Sequence, residues 1–204
     1  MPRIDIQPRK TPRQSRSAAT VEAILAAATR ILERESLAGF NTNRVAEVAG
    51  VSVGSLYQYF PNKSALVTAL IDRQHGALAD EIEACVAAHA GRPLQDALQA
   101  LAEIGIAQQY GRPLLAAALD HEEQRLPLQA RLRESEQRIG AAVAALLQRH
   151  AAELPAPPPP AAVRDLLVIT KALIEADAQA GRQPSPDLRQ RIVRAQWGYL
   201  SAAS

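Results

Sequence analysis

The side chains best spaced to do chemistry in this 204-residue chain lie between Phe40 and Ser64. Thr42-Asn43-Arg44 and the segment Val53-Gly54-Ser55-Leu56-Tyr57-Gln58-Tyr59-Phe60 stand on either side of Gly50. They supply hydroxyls, amides and one guanidinium, groups that recognise and hold a partner rather than transform it. No nucleophile–base–acid constellation, Gly-rich phosphate loop or metal-ligand set accompanies them, so catalysis is not expected. His121-Glu122-Glu123 are metal-ligating types, but successive helical residues point about 100° apart and do not converge on one ion. A solvated face is the better reading. Cys85 and His89 stand four apart and can share a helix face, yet two ligands do not make a site. No metal and no cofactor are expected.

The elements that must position these groups are helices. The chain is 48% hydrophobic but only 3% aromatic. Alanine and leucine, both strong helix formers, dominate the apolar share. No run of alternating Val, Ile and Thr argues for a sheet. The class expected is all-α. Net charge is only +2, but residues 1–75 carry +4 and residues 76–204 carry −2. Arg3, Arg9, Lys10, Arg13 and Arg16 crowd the amino end among Pro2, Pro8 and Pro12. Such a basic arm suits phosphate or minor-groove contact, and it equally suits a solvated tail. Cys85 is the only cysteine, so no intrachain disulfide forms. Met1–Arg16 has no apolar core of a signal peptide, and no uninterrupted apolar stretch of about 18 residues exists. A cytoplasmic protein with no membrane partner is the expectation.

Periodicity places a first helix at about Ala18–Ser36, with Val21, Ile24, Leu25, Ala28, Ile31 and Leu32 on one stripe. Gly39 serves as its C-terminal cap region. Short helices follow at about 42–49 and 53–59, capped by Asn41 or Thr42 and by Ser52. A long helix runs from Lys63 to about Ala88, capped by Asn62. Five more lie near 93–109, 113–123, 127–151, 161–180 and 187–202, separated by Gly and Pro breaks. The run Pro157-Pro158-Pro159-Pro160 predicts a stiff connector. Three parts are expected: a flexible basic arm over 1–17, a reading domain over 18–62, and a larger helical domain over 63–204.

The two short helices fit a helix-turn-helix. Val45, Ala46 and Ala49 give the first an apolar inner face, with Ala46 small enough for close approach. Gly50 tolerates the positive φ of the turn. Val51 plugs the junction, and Leu56 with Tyr59 or Phe60 closes the core. The stretch from Phe40 through Leu66, and above all Thr42, Ala46, Ala49-Gly50-Val51-Ser52, Leu56-Tyr57, Tyr59-Phe60 and Lys63, resembles the amino-terminal domain of the TetR family of bacterial regulators. The resemblance covers about residues 18–70; beyond them the chain matches that family only in helical class and length.

The resemblance implies a role for each matching residue. Thr42, at the start of the first motif helix, would hold a phosphate with the free amides there. Asn43 and Arg44 would reach backbone or base edges. Val53, Gly54 and Ser55 would open the recognition helix in the major groove, giving close approach and thymine-methyl contact. Tyr57 and Tyr59 match phosphate contacts, although either could be packing residues instead. Gln58 offers an amide that pairs with adenine. Lys63 matches a phosphate-binding lysine.

It also implies double-stranded operator DNA as partner, a homodimer on a near-palindromic site and an unknown small-molecule effector. The ligand candidates are Gln108, Tyr110 and His121, with Gln109, Glu122 and Glu123 beside them. The interface candidates are the stripes holding Leu166, Thr170 and Leu173 and holding Ile192, Gln196 and Tyr199, unless these face only their own domain. The function expected is that of a ligand-responsive repressor. Two rivals stand beside it. One is an enzyme or carrier keeping the motif as scaffold; the other is an architectural protein without sequence preference.

Overall fold

The computed structural model describes Ile6 and residues 15–202. Among them are nine α-helices, one 3-10 turn at Ala151–Glu153 and no strand. The helices are α1 (Ser15–Gly39), α2 (Thr42–Ala49), α3 (Val53–Tyr59), α4 (Lys63–Ala88), α5 (Leu94–Tyr110), α6 (Pro113–Arg125), α7 (Gln129–Arg149), α8 (Ala162–Gln179) and α9 (Pro186–Ser201). The all-α class and the order of elements follow the periodicity of the sequence. The basic residues Arg3, Arg9, Lys10 and Arg13 and the side chain of Arg16 lie outside the described residues.

Two compact units form. The first holds α1 to α3, α4 as far as Gln74, and the segment Arg112–Leu132. Its core takes Ile24, Leu25, Ala28, Ile31 and Leu32 from the α1 stripe and sets them against Phe40, Val45, Leu56 and Phe60. From α6 and the chain after it come Ala118, Leu119, Leu126, Leu128 and Leu132, and α6 packs along α1. Ion pairs join the same elements: Arg112 to Glu33 at 3.1 Å, Arg73 to Glu22 at 2.7 Å, and a two-pronged Arg131–Asp72 pair.

The second unit holds the rest of α4, α5, the rest of α7, α8 and α9. Arg138 of α7 grips Glu83 and Asp80 of α4 at 2.6 Å each. The amino end of α5 has no cap of its own, because Pro93 offers no acceptor side chain there. Glu153 reaches across from the 3-10 turn instead. It accepts from the Leu94 N–H at 2.8 Å and pairs with the buried His150 at 2.6 Å. The N–H and the imidazole hold the Glu153 carboxyl below the usual carboxylate range. Asp177 is also buried, and Arg182 and Arg191 neutralise it from 3.0 and 2.6 Å.

Two details of α1 depart from expectation. The helix begins at Ser15, inside the stretch expected as arm, and it runs to Gly39 rather than Ser36. The left-handed residue near its end is Ser36, with φ 55° and ψ −162°, and Gly39 has no positive φ. Gly39 matters for space instead: a Cβ there would lie 2.5 Å from Glu35 Cβ. Ser36 occupies a region of backbone space that is otherwise glycine's, at a cost of about 1–3 kcal/mol.

Candidate nucleic-acid interface

The steep turn between α2 and α3 is made by Gly50. Its φ of 68° and ψ of 29° are left-handed, which glycine adopts without a Cβ penalty. The Gly50 N–H donates to the Glu47 carbonyl at 3.1 Å, and the Val51 N–H to the Ala46 carbonyl at 3.0 Å. These paired bonds end α2 in the Schellman manner. Asn41, not Thr42, caps α2, its Oδ1 accepting from the Arg44 N–H at 2.8 Å. Ser52 caps α3 by accepting from the Ser55 N–H at 3.0 Å. Val45, Ala46, Leu56 and Phe60 lock the pair from within, all buried.

With the cap supplied by Asn41, the Thr42 hydroxyl is left to do something else. Thr42 Oγ1 lies 3.0 Å from the Tyr57 hydroxyl. Thus α2 and α3 present two hydroxyls side by side on an exposed face, joined across fifteen residues of chain. Tyr57 keeps 38% of its surface exposed, a large value for an aromatic residue with a polar tip. Val53, Gly54 and Gln58 are exposed on the same short helix. Ser55 is half-buried, with Oγ 2.8 Å from Ser52 Oγ. Tyr59 is half-buried and packs on the core, so it serves the motif's interior in part. Leu56 and Phe60, rather than Tyr59, close that interior.

The charged candidates differ in their freedom. Lys63 is half-buried at the start of α4, with Nζ 5.3 Å from the centroid of the buried Phe40 ring. That cation–π contact orients the ammonium without neutralising it. Asn43 is exposed. Arg44 is exposed too, but its guanidinium lies 2.9 Å from Glu47 and 4.0 Å from Glu35. The Glu47 hydrogen bond and charge, then the Glu35 charge, raise the Arg44 pKa further. The sequence reading missed both acids as partners. The three-residue spacing of Arg44 and Glu47 was there to be read; nothing in the sequence brings Glu35 to them. Arg30 and Arg34 are exposed on α1, as solvated charges would be.

The ligand candidates have different surroundings. Tyr110 packs in the second unit among Ile106, Leu173, Ile174, Leu188 and Ile192, and its buried hydroxyl has no partner. Burial, then the nearby Asp177 charge, raises its pKa. Gln108 points elsewhere, donating to Glu81 at 3.3 Å. His121 is exposed and belongs to the first unit, whereas Gln108 and Tyr110 belong to the second. The expected solvated face at 121–123 also needs correction, because Glu122 is buried and paired with Arg125 at 2.8 Å. A groove of about 280 Å³ in the second unit is lined by Gln95, Gln99, Arg189, Gln190, Val193 and Arg194, none of them expected.

The interface candidates are covered, fully or in part, by their own chain. Leu166, Ile192 and Gln196 are buried in their own chain, and Thr170, Leu173 and Tyr199 are half-buried. The Gln196 amide donates to Thr170 Oγ1 at 2.8 Å, and the Tyr199 hydroxyl to Asp165 at 2.7 Å. These stripes pair α8 with α9 and with α5. The large apolar residues left exposed on α8 are Leu167 and Val168, the latter 58% exposed. Periodicity finds both stripes but cannot say what covers them.

Two short helices joined by a left-handed glycine, with the second presenting polar side chains, define a helix-turn-helix regulator. Comparison with known proteins agrees along most of the chain. The family "Bacterial regulatory proteins, tetR family" matches residues 24–70, and "Tetracyclin repressor-like, C-terminal domain" matches residues 93–200. The chain belongs to the TetR family. It is 41% identical over 68 residues to the HTH-type transcriptional regulator EthR of Mycolicibacterium smegmatis, and that match spans 31% of each chain. The fold is shared with a TetR-family regulator from Mesorhizobium loti (20% identity, 92% of this chain and 98% of the other, TM-score 0.73). It is shared too with the TetR-like regulator LfrR from Mycobacterium smegmatis in complex with proflavine (21% identity, 93% and 100%, TM-score 0.62). No described helix is long and apolar enough to cross a membrane.

Proposed function

We propose that this protein is a ligand-responsive transcriptional repressor that binds a near-palindromic operator as a homodimer. The observation that carries the DNA-binding reading is the Thr42–Tyr57 hydroxyl pair, held 3.0 Å apart on the exposed face of the motif. It provides a ready donor set for one phosphate at the amino end of α2. Asn43 and Gln58, both exposed, flank it as base readers, and Val53 and Gly54 allow close approach. Lys63 adds a second phosphate contact. In this reading residues 18–62 read DNA, while residues 63–204 sense an effector and dimerise.

The effector is a small molecule, as the proflavine complex of LfrR supports. Tyr110 is the best of the three candidates to meet it, since a ligand acceptor would satisfy its orphan hydroxyl. Dimerisation falls to the outer faces of α8 and α9, where Leu167, Val168 and Ala195 stand exposed. One motif makes few contacts, so two copies about 34–36 Å apart are the usual solution. The effector must bind one of two states better than the other to release DNA.

A gel-shift against the DNA upstream of the protein's own coding sequence tests this reading. Selective retardation of that fragment at moderate salt is expected. Folded protein that binds unrelated fragments equally well, or none, refutes it.

A further inference from the structure

We propose that Glu47 and Glu35 form an acidic clamp that sets DNA affinity by competing with the DNA for Arg44. The inference rests on the DNA-binding reading above and names the residues that regulate that site. Arg44 stands in the first turn of α2, where the helix dipole disfavours a cation, and Glu47 in the last turn, where it disfavours an anion. The order of the pair, base before acid, is also the less stabilising one. Helix stability therefore gives no reason for this arrangement.

The second arm is held in place by α1. The left-handed Ser36 and the absence of a Cβ at Gly39 let the chain fold back over Glu35. A Cβ at Gly39 would lie 2.5 Å from both Cβ and Oε2 of Glu35, so a larger residue there would displace the Glu35 side chain. Arg44 thus meets an acid from its own helix at 2.9 Å and one from the preceding helix at 4.0 Å. All three side chains are exposed, so each contact is weak and can be exchanged for a phosphate. Whatever holds Arg44 in the free protein must be given up when Arg44 turns to DNA, and affinity is lowered by that amount.

The test is a double-mutant cycle on the full chain, with a duplex selected from a random pool by the wild-type protein. Anisotropy titrations compare wild type, Glu47→Gln, Arg44→Ala and the double variant. Failure of wild type to select any duplex would refute the DNA-binding reading itself. Given a duplex, Glu47→Gln should tighten binding about two- to five-fold, and the gain should vanish in the Arg44→Ala background. Glu35→Gln should give a smaller gain. An equal gain with and without Arg44 overturns the clamp, because Glu47 would then only repel phosphate. Unchanged or weaker binding by Glu47→Gln overturns it as well. Thermal melts check that each variant remains folded.

Discussion

Replacing Gly50 by alanine isolates the conformational demand of the motif's turn. The φ of 68° is left-handed, and a Cβ built there meets nothing within 4 Å. No clash contributes, so the cost is the backbone penalty alone, about 1–2 kcal/mol for an L-residue. Alanine also stiffens the unfolded chain, which returns about 0.4–1 kcal/mol. The net loss should be roughly 1 kcal/mol. For a chain of this size that lowers Tm by about 2–4 °C. In urea, a slope of about 1–3 kcal/mol/M puts the midpoint roughly 0.3–1 M lower with the slope unchanged. Gly50→Asn should recover part of the loss, since asparagine tolerates this conformation. Gly76 supplies the control. It lies inside α4 with equally open space around it and no positive φ. There the same substitution should stabilise by about 0.4–1 kcal/mol. The two alanines must therefore move the urea midpoint in opposite directions. Equal signs would mean that Gly50 is not held left-handed, and the account of the turn would fall.

Four further expectations follow from the same geometry. Thr42→Val and Tyr57→Phe should each weaken DNA binding, and the double variant should lose less than the sum, because the two hydroxyls act as one unit; anisotropy titrations decide. Lys63→Ala should weaken binding uniformly across sequences and reduce the slope of log affinity against log salt by about 0.9. Glu153 has a carboxyl pKa lowered by the Leu94 N–H and His150. The stability it lends is present above the unfolded carboxyl pKa, about 4.3, and is lost as pH falls through the lower folded value. Melts taken from pH 5 to pH 2 should fall more steeply for wild type than for Glu153→Gln. Val168→Glu should shift the protein from dimer to monomer in sedimentation without unfolding it, whereas Gln196→Glu should destabilise the fold.

Much of this protein is legible in its sequence because its signals are local. Gly50 had to be left-handed, Ser52 and Asn62 had to cap, and Ala46 had to be small. Each follows from residues within one or two turns, where the chain itself fixes the distance. The α1 stripe from Ile24 to Leu32 was equally local, and so was the helix order set by glycine and proline. The family resemblance over residues 18–70 rests on the same short-range pattern.

What only the tertiary structure decided involves partners far apart in the chain. The sequence offered Asn41 or Thr42 as the α2 cap. The fold chose Asn41 and thereby left the Thr42 hydroxyl for Tyr57, fifteen residues away. It set α6 along α1, gave α5 a cap from Glu153, and brought Glu35 to Arg44 through the turn at Ser36. It also turned Leu166, Ile192 and Gln196 inward and left Val168 outside. Helical periodicity says that a face is apolar, because 3.6 residues make a turn whatever lies beside it. Which neighbour covers that face depends on how all the helices pack at once, and no single segment carries that information.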